Sequence, residues 1–104
     1  EMALRHQTFS RVYPKLYERL SGGGTRFVWI WSPAAVEVIE PHILEEVRLF
    51  NGKGSAMIRA SGVDVADLTE KIQDQYFYTY SHLNEEGHRI LKDLLVPPVI
   101  RAIQ

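Results

Sequence analysis

Phe27-Val28-Trp29-Ile30-Trp31 is an unbroken apolar run, preceded by Gly22-Gly23-Gly24 and closed by Ser32-Pro33. β-Branched and aromatic residues with no polar position among them predict a strand buried on both faces, the habit of a central parallel strand covered by helices. A chain holding such a strand must supply a layer for each face. Upstream, Phe9, Val12, Tyr13, Leu16, Tyr17 and Leu20 recur at the spacing of an amphipathic helix over residues 8–20. Pro14 falls inside it, so the helix either starts there or runs through with a kink. Ser21-Gly22-Gly23-Gly24 then stops it, and residues 1–6, which show no pattern, are expected to fray. A helix followed by a buried strand is half of a βαβ unit. The predicted fold is a single α/β domain over residues 1–104, with a small, mostly parallel sheet and packed helices.

After Pro33, residues 34–39 predict a short helical turn or loop, and Pro41 opens a helix carrying Ile43, Leu44, Val47 and Phe50. Asn51-Gly52-Lys53-Gly54 interrupts this pattern. Asn-Gly between apolar segments signals a hairpin, but the helical stripe before it, and Met57 and Ile58 leading to a glycine cap at Ser61-Gly62, favour helix, loop, helix. Val63 to Leu68 predicts a short alternating strand, left through a polar segment at 68–72. Asn84 is a suitable N-cap for the last helix, and Glu85 and Glu86 fall in a first turn that favours acids. Gly87, Ile90, Leu91, Leu94 and Leu95 share one face of that helix. Val96-Pro97-Pro98 predicts a break, followed by a last apolar turn at 99–103.

Composition narrows the function classes. A chain of 104 residues carries one core at most. A formal charge of −1, with 24% charged residues, offers no basic excess to hold nucleic acid. Without cysteine there is no disulfide, thiolate metal site or cysteine nucleophile. No apolar run approaches the roughly 18 residues of a membrane span, and no signal-peptide plan opens the chain, so a soluble protein of unassigned compartment is expected. Ser21-Gly22-Gly23-Gly24-Thr25 is not a phosphate cradle, because the order helix, glycines, strand reverses the one that motif needs. His82, Glu86 and His88 lack the spacing that puts two imidazoles on one helical face. Neither a metal nor a cofactor is expected.

The remaining candidate is the aromatic run Tyr76-Phe77-Tyr78-Thr79-Tyr80, which ends at Ser81-His82-Leu83-Asn84-Glu85-Glu86-Gly87-His88. Here a titratable side chain is presented just before a helix start. The bland reading is a loop histidine bonded to a nearby carbonyl, with His88 a solvated first-turn residue and the aromatics packed over the core or in an oligomer contact. The sharper reading comes from a resemblance. This segment with its following helix resembles the C-terminal motif of the SGNH (GDSL-type) hydrolases, and so does the preceding order of helix, buried strand ending in Ser-Pro, helical segment and short strand. The resemblance covers most of this chain but only the second half of a family member, and implies half of a flavodoxin-like SGNH-hydrolase domain. It assigns His82 as the general base of a serine esterase acting on acyl or carbohydrate esters.

The chain departs from that pattern in the base's partners. The family places an aspartate three residues before the histidine, and this chain has Thr79. Asp67 or Asp74 replaces it only if the fold brings one near. No Gly-Asp-Ser nucleophile motif occurs, and the glycine and asparagine elements of the oxyanion hole are missing. Ser10, Ser21, Ser32, Ser55, Ser61 and Ser81 lack the nucleophile's context. The expected protein is therefore an esterase-like module, inactive alone, that needs a complementing chain or associates with itself, with an ester as possible substrate. The alternative is a non-catalytic α/β interaction or small-ligand module that oligomerises.

Overall fold

The apolar run does form a strand, and what covers it explains the rest of the chain. A computed structural model describes residues 2–104. Strand β1 (Val28–Trp31) pairs in parallel with β2 (Asp64–Asp67), Val28 opposite Asp64 and Trp31 opposite Asp67. Helix α1 (Met2–Ser21) precedes β1, and α2 (Pro41–Ala60) makes the crossover to β2. A separate antiparallel hairpin of β3 (Phe77–Thr79) and β4 (His82–Leu83) leads into α3 (Glu85–Ile103). The chain is thus mixed α/β with a small parallel sheet, as expected.

Trp29 and Trp31 point to the face that carries α1 and α2. The Phe9 ring stands edge-on to Trp29 at 5.7 Å, stacks on Tyr13 at 5.8 Å and meets Phe50 at 5.8 Å. Edge-to-face contacts of this kind contribute about 0.5–1.5 kcal/mol beyond area burial. Ile58, fully buried, packs with Tyr13, Val63 and Val65 behind these rings. Two of the polar tips are satisfied, Tyr13 Oη lying 2.7 Å from Ser61 Oγ and Trp31 Nε1 donating to Ser55 Oγ at 2.8 Å, whereas the buried Trp29 Nε1 has no hydrogen-bond partner among the described residues. Helix α3 packs on the same two strands.

Residues 2–6 lie within α1. Of the two arrangements expected at Pro14 the helix takes the one that runs through, with Pro14 on its exposed side, where water can take the carbonyl that its missing N–H leaves free. Three local expectations are corrected. Residues 51–54 form neither loop nor hairpin, since α2 runs unbroken from Pro41 to Ala60. The two residues that suggested a turn serve tertiary contacts. The buried Asn51 amide donates to Thr69 Oγ1 at 3.0 Å, and Gly54 lies so close to the Trp31 ring that a Cβ there would sit 3.0 Å from Cζ2.

Pro97 and Pro98 do not break α3. Pro98 is buried, and the helix end is tied down by Arg101 Nε on Asp64 Oδ2 at 2.7 Å and by Arg26 Nη1 donating to the Gln104 carbonyl at 2.6 Å. Finally, β1 is only half-buried, because the sheet has two strands and one edge of β1 meets no other strand among the described residues. The glycine stops behave as expected. Both α1 and α2 are followed by a glycine at positive φ, Gly24 at 74° and Gly62 at 90°.

Candidate functional site

The carboxyl ends of parallel strands are where open α/β sheets place their sites. Here β1 exits through Ser32-Pro33-Ala34-Ala35, and two main-chain bonds fasten that loop. Ala34 N–H donates to the Thr69 carbonyl at 3.0 Å, just beyond β2, and Ala35 N–H donates to the Tyr80 carbonyl at 2.8 Å, in the turn of the β3–β4 hairpin. The second bond brings the hairpin to the end of β1. An open pocket of about 220 Å³ results, lined by Ser32, Pro33, Ser81, His82, Leu83, His88 and Leu91.

Asn84 holds the hairpin to α3. Its side-chain Oδ1 accepts the Gly87 N–H at 2.8 Å, the N-cap that the residue types predict. Its main-chain N–H donates to the Tyr76 carbonyl at 2.8 Å, and Nδ2 donates to the Gln75 carbonyl at 3.3 Å. Gly87 is required at this junction, because a Cβ would stand 2.5 Å from that Tyr76 oxygen and 2.8 Å from Leu83 Cδ2. Leu83 is buried against the junction, while His82, one residue earlier on the alternating strand, faces outward and is exposed.

His82 Nδ1 lies 2.8 Å from Thr79 Oγ1 and 3.3 Å from Ser81 Oγ. Its neighbours are therefore side-chain hydroxyls and not the carbonyl of the bland reading. Both contacts fall on Nδ1, so Nε2 is the nitrogen turned to other uses. With the ring proton on Nδ1, Thr79 accepts it and the Nε2 lone pair is a base. With the proton on Nε2, Thr79 donates to Nδ1 and Nε2 is an acid. A hydroxyl serves either tautomer, whereas a carboxylate only accepts and selects the first.

Neither candidate aspartate replaces the missing one. Asp67 Oδ1 accepts from Thr69 N–H at 3.0 Å and from Thr69 Oγ1 at 2.6 Å, closing its own turn. Asp74 Oδ1 accepts the Glu37 N–H at 3.3 Å. Among the described residues no cluster of three His, Asp or Glu could hold a metal ion.

The fold brings to His82 two groups that sequence reasoning left apart. His88 is exposed in the first turn of α3, as expected, and also borders the pocket. Ser32, a serine with no motif around it, lines the same pocket, although no hydrogen bond joins it to His82 among the described residues. The available signal was its position right after a buried strand. The aromatic run divides: Tyr76 and Phe77 are half-buried at the junction, while Tyr78 and Tyr80 are 79% and 65% exposed.

Fold and site together define a helix-rich α/β module that presents a histidine at the entrance of its last helix. No protein-family model matches the chain, and no curated protein or solved structure matches it either. No described helix is long and apolar enough to cross a membrane.

Proposed function

We propose that this chain is an SGNH-hydrolase-like module, the C-terminal half of a flavodoxin-like arrangement, in which His82 is the general base of ester hydrolysis. The observation that carries this reading is the 2.8 Å contact between Thr79 Oγ1 and His82 Nδ1, three residues apart and immediately before a capped helix. It holds Nδ1 in the place where a triad's orienting residue acts and leaves Nε2 for chemistry.

In the proposed reaction Nε2 removes the proton of a serine hydroxyl, the oxygen attacks the ester carbonyl, and the imidazolium returns the proton to the leaving alkoxide; a water deprotonated by Nε2 then attacks the acyl-serine, and the imidazolium reprotonates the serine as the acid departs. The substrate is an acyl or carbohydrate ester. The serine and the oxyanion donors come from a complementing polypeptide, so the chain alone is inactive. Without a carboxylate at position 79 the base is also weak, since losing the orienting carboxylate of a triad costs about 10⁴ in turnover.

The test is hydrolysis of p-nitrophenyl acetate by the chain alone and mixed with a polypeptide carrying the Gly-Asp-Ser segment. Turnover in the mixture that His82→Ala abolishes and His88→Ala retains supports the proposal. Turnover that survives His82→Ala, or none in any mixture, rejects it. The second reading, a non-catalytic interaction module, is favoured by the large apolar side chains left exposed on α1 and α3.

A further inference from the structure

Some of the exposed apolar side chains, Val12 and Leu16 on α1 and Val99 on α3, lie on helix flanks to the same side of the sheet. At about 100° per residue, Val12 and Leu16 lie on one flank of the row Phe9, Tyr13 and Tyr17 that faces the sheet, and His6, which meets Phe50 of α2, lies toward the other. Since α2 packs on β2, the Val12 flank is the one away from β2. On α3, Arg101 pairs with Asp64 of β2 and marks one flank of the row Gly87, Leu94 and Pro98. Leu95 and Val99 mark the opposite flank, again away from β2. Between these two apolar stripes runs the unpaired edge of β1.

That edge has no protection. β2 carries Asp64 and Asp67 at its ends, charges of the kind that guard a sheet edge, whereas Val28 to Trp31 carry none. Trp31 offers its carbonyl to Leu68 N–H on the β2 side at 3.1 Å, so by alternation the main-chain groups of Val28 and Ile30 turn to the open edge.

We infer that this face is the interface between two copies of the chain. The accessible surface is 7150 Å², whereas a compact monomer of 12.0 kDa exposes about 6,000 Å². The excess exceeds the roughly 800 Å² that each partner contributes to a standard interface. The molecule is a slab of 40 × 34 × 16 Å with a radius of gyration of 14.9 Å, against about 13 Å for a compact domain of this length. A second copy suits the face because the face is self-complementary about a two-fold axis. Val28 of one copy meets Ile30 of the other in antiparallel pairing, α1 faces α1, and α3 faces α3. A formal charge of −1 puts little repulsion between copies, and the His82 pocket lies at one end of the face through Ser32 and Leu91. The inference is independent of the chemistry assigned to His82.

The experiment is the mass in solution by light scattering across a concentration series of the intact chain, with hydrogen exchange of its backbone amides. The expected result is twice 12.0 kDa at micromolar concentration, with concentration-dependent protection at Ile30. Val12→Glu combined with Val99→Glu, at sites 55% and 46% exposed, is expected to give the single-copy mass with unchanged circular dichroism. Leu49→Glu, equally exposed but on α2, is expected to keep the dimer. A single-copy mass at every concentration overturns the inference, as does a dimer that survives the double substitution or that Leu49→Glu dissociates.

Discussion

Thr79 Oγ1 stands 2.8 Å from His82 Nδ1, close enough to orient the ring yet unable to choose its tautomer. A carboxylate at that position chooses, because it has no proton to donate. Thr79→Asp is therefore expected to fix the ring proton on Nδ1, read from the ring-nitrogen chemical shifts of His82 by NMR. Thr79→Val, which keeps the shape and removes the hydroxyl, is expected to loosen the ring, read as broadened or averaged His82 signals. Ring-nitrogen shifts that stay the same in Thr79→Asp mean that the side chain at position 79 does not reach the ring.

Gly87 packs against Tyr76 and Leu83 at a junction where an added Cβ meets a backbone oxygen at 2.5 Å. A main-chain carbonyl cannot swing aside as a side chain does. Gly87→Ala gains helix propensity of about 1 kcal/mol, but overpacking of this kind costs about 1–3 kcal/mol, and here it also displaces the Asn84 cap. We expect a net loss of stability, seen as a lower melting temperature, with weakened protection of the Gly87 amide.

Asn51 is buried in the middle of α2 and reaches Thr69 at the carboxyl end of β2, while Thr69 in turn donates to Asp67. Asn51→Leu removes the donor, so the Thr69 hydroxyl oxygen no longer accepts a hydrogen bond while still donating to Asp67. The expected cost is about 1–3 kcal/mol, measured by urea denaturation. Asn51→Ala combined with Thr69→Val is expected to cost less than the sum of the single changes, because the two residues share one hydrogen bond.

The Arg101 side chain holds the Asp64 carboxyl below its usual range, chiefly through its hydrogen bond, and Arg48 does the same for Glu70. Burial opposes both shifts. A carboxyl whose pKa is lowered by folding contributes stability that is fully present above its unfolded value and is lost as pH falls through the folded value. Stability should therefore decline below about pH 4, and the decline should be shallower in Asp64→Asn. Both pairs are exposed, so the effect is small and shrinks further in high salt. Thermal melts from pH 6 downward, at two salt concentrations, check the sign.

Several elements announced by local chemistry are present in the structure, although the β3–β4 hairpin was not among those announced. The apolar run 27–31 becomes β1, the glycines after residue 21 end α1, Pro41 opens α2, and Asn84 caps α3. Each needs only side chains near in sequence, or a backbone conformation that one residue type prefers. Two of the expectations that failed were turn signals inside helices, Asn51-Gly52-Lys53-Gly54 and Val96-Pro97-Pro98. Their local cost is real, but partners distant in the chain outweigh it. Trp31 and Thr69 accommodate the first, and Asp64 and Arg26 hold the second in place.

The candidate site divides in the same way. The place of His82, exposed at the entrance of the last helix, was legible because the Asn84 N-cap is local. That Ser32 and Leu91 share its pocket was not, because it depends on the Ala35 N–H reaching the Tyr80 carbonyl across 45 residues of chain. Sequence alone determined that α1, β1 and β2 form, where α2 and α3 begin, and which histidine is presented. Tertiary structure alone decided that helices α2 and α3 run unbroken, that the sheet stops at two strands, and which edge stays open. These outcomes rest on contacts between residues far apart in the chain, which no local pattern encodes.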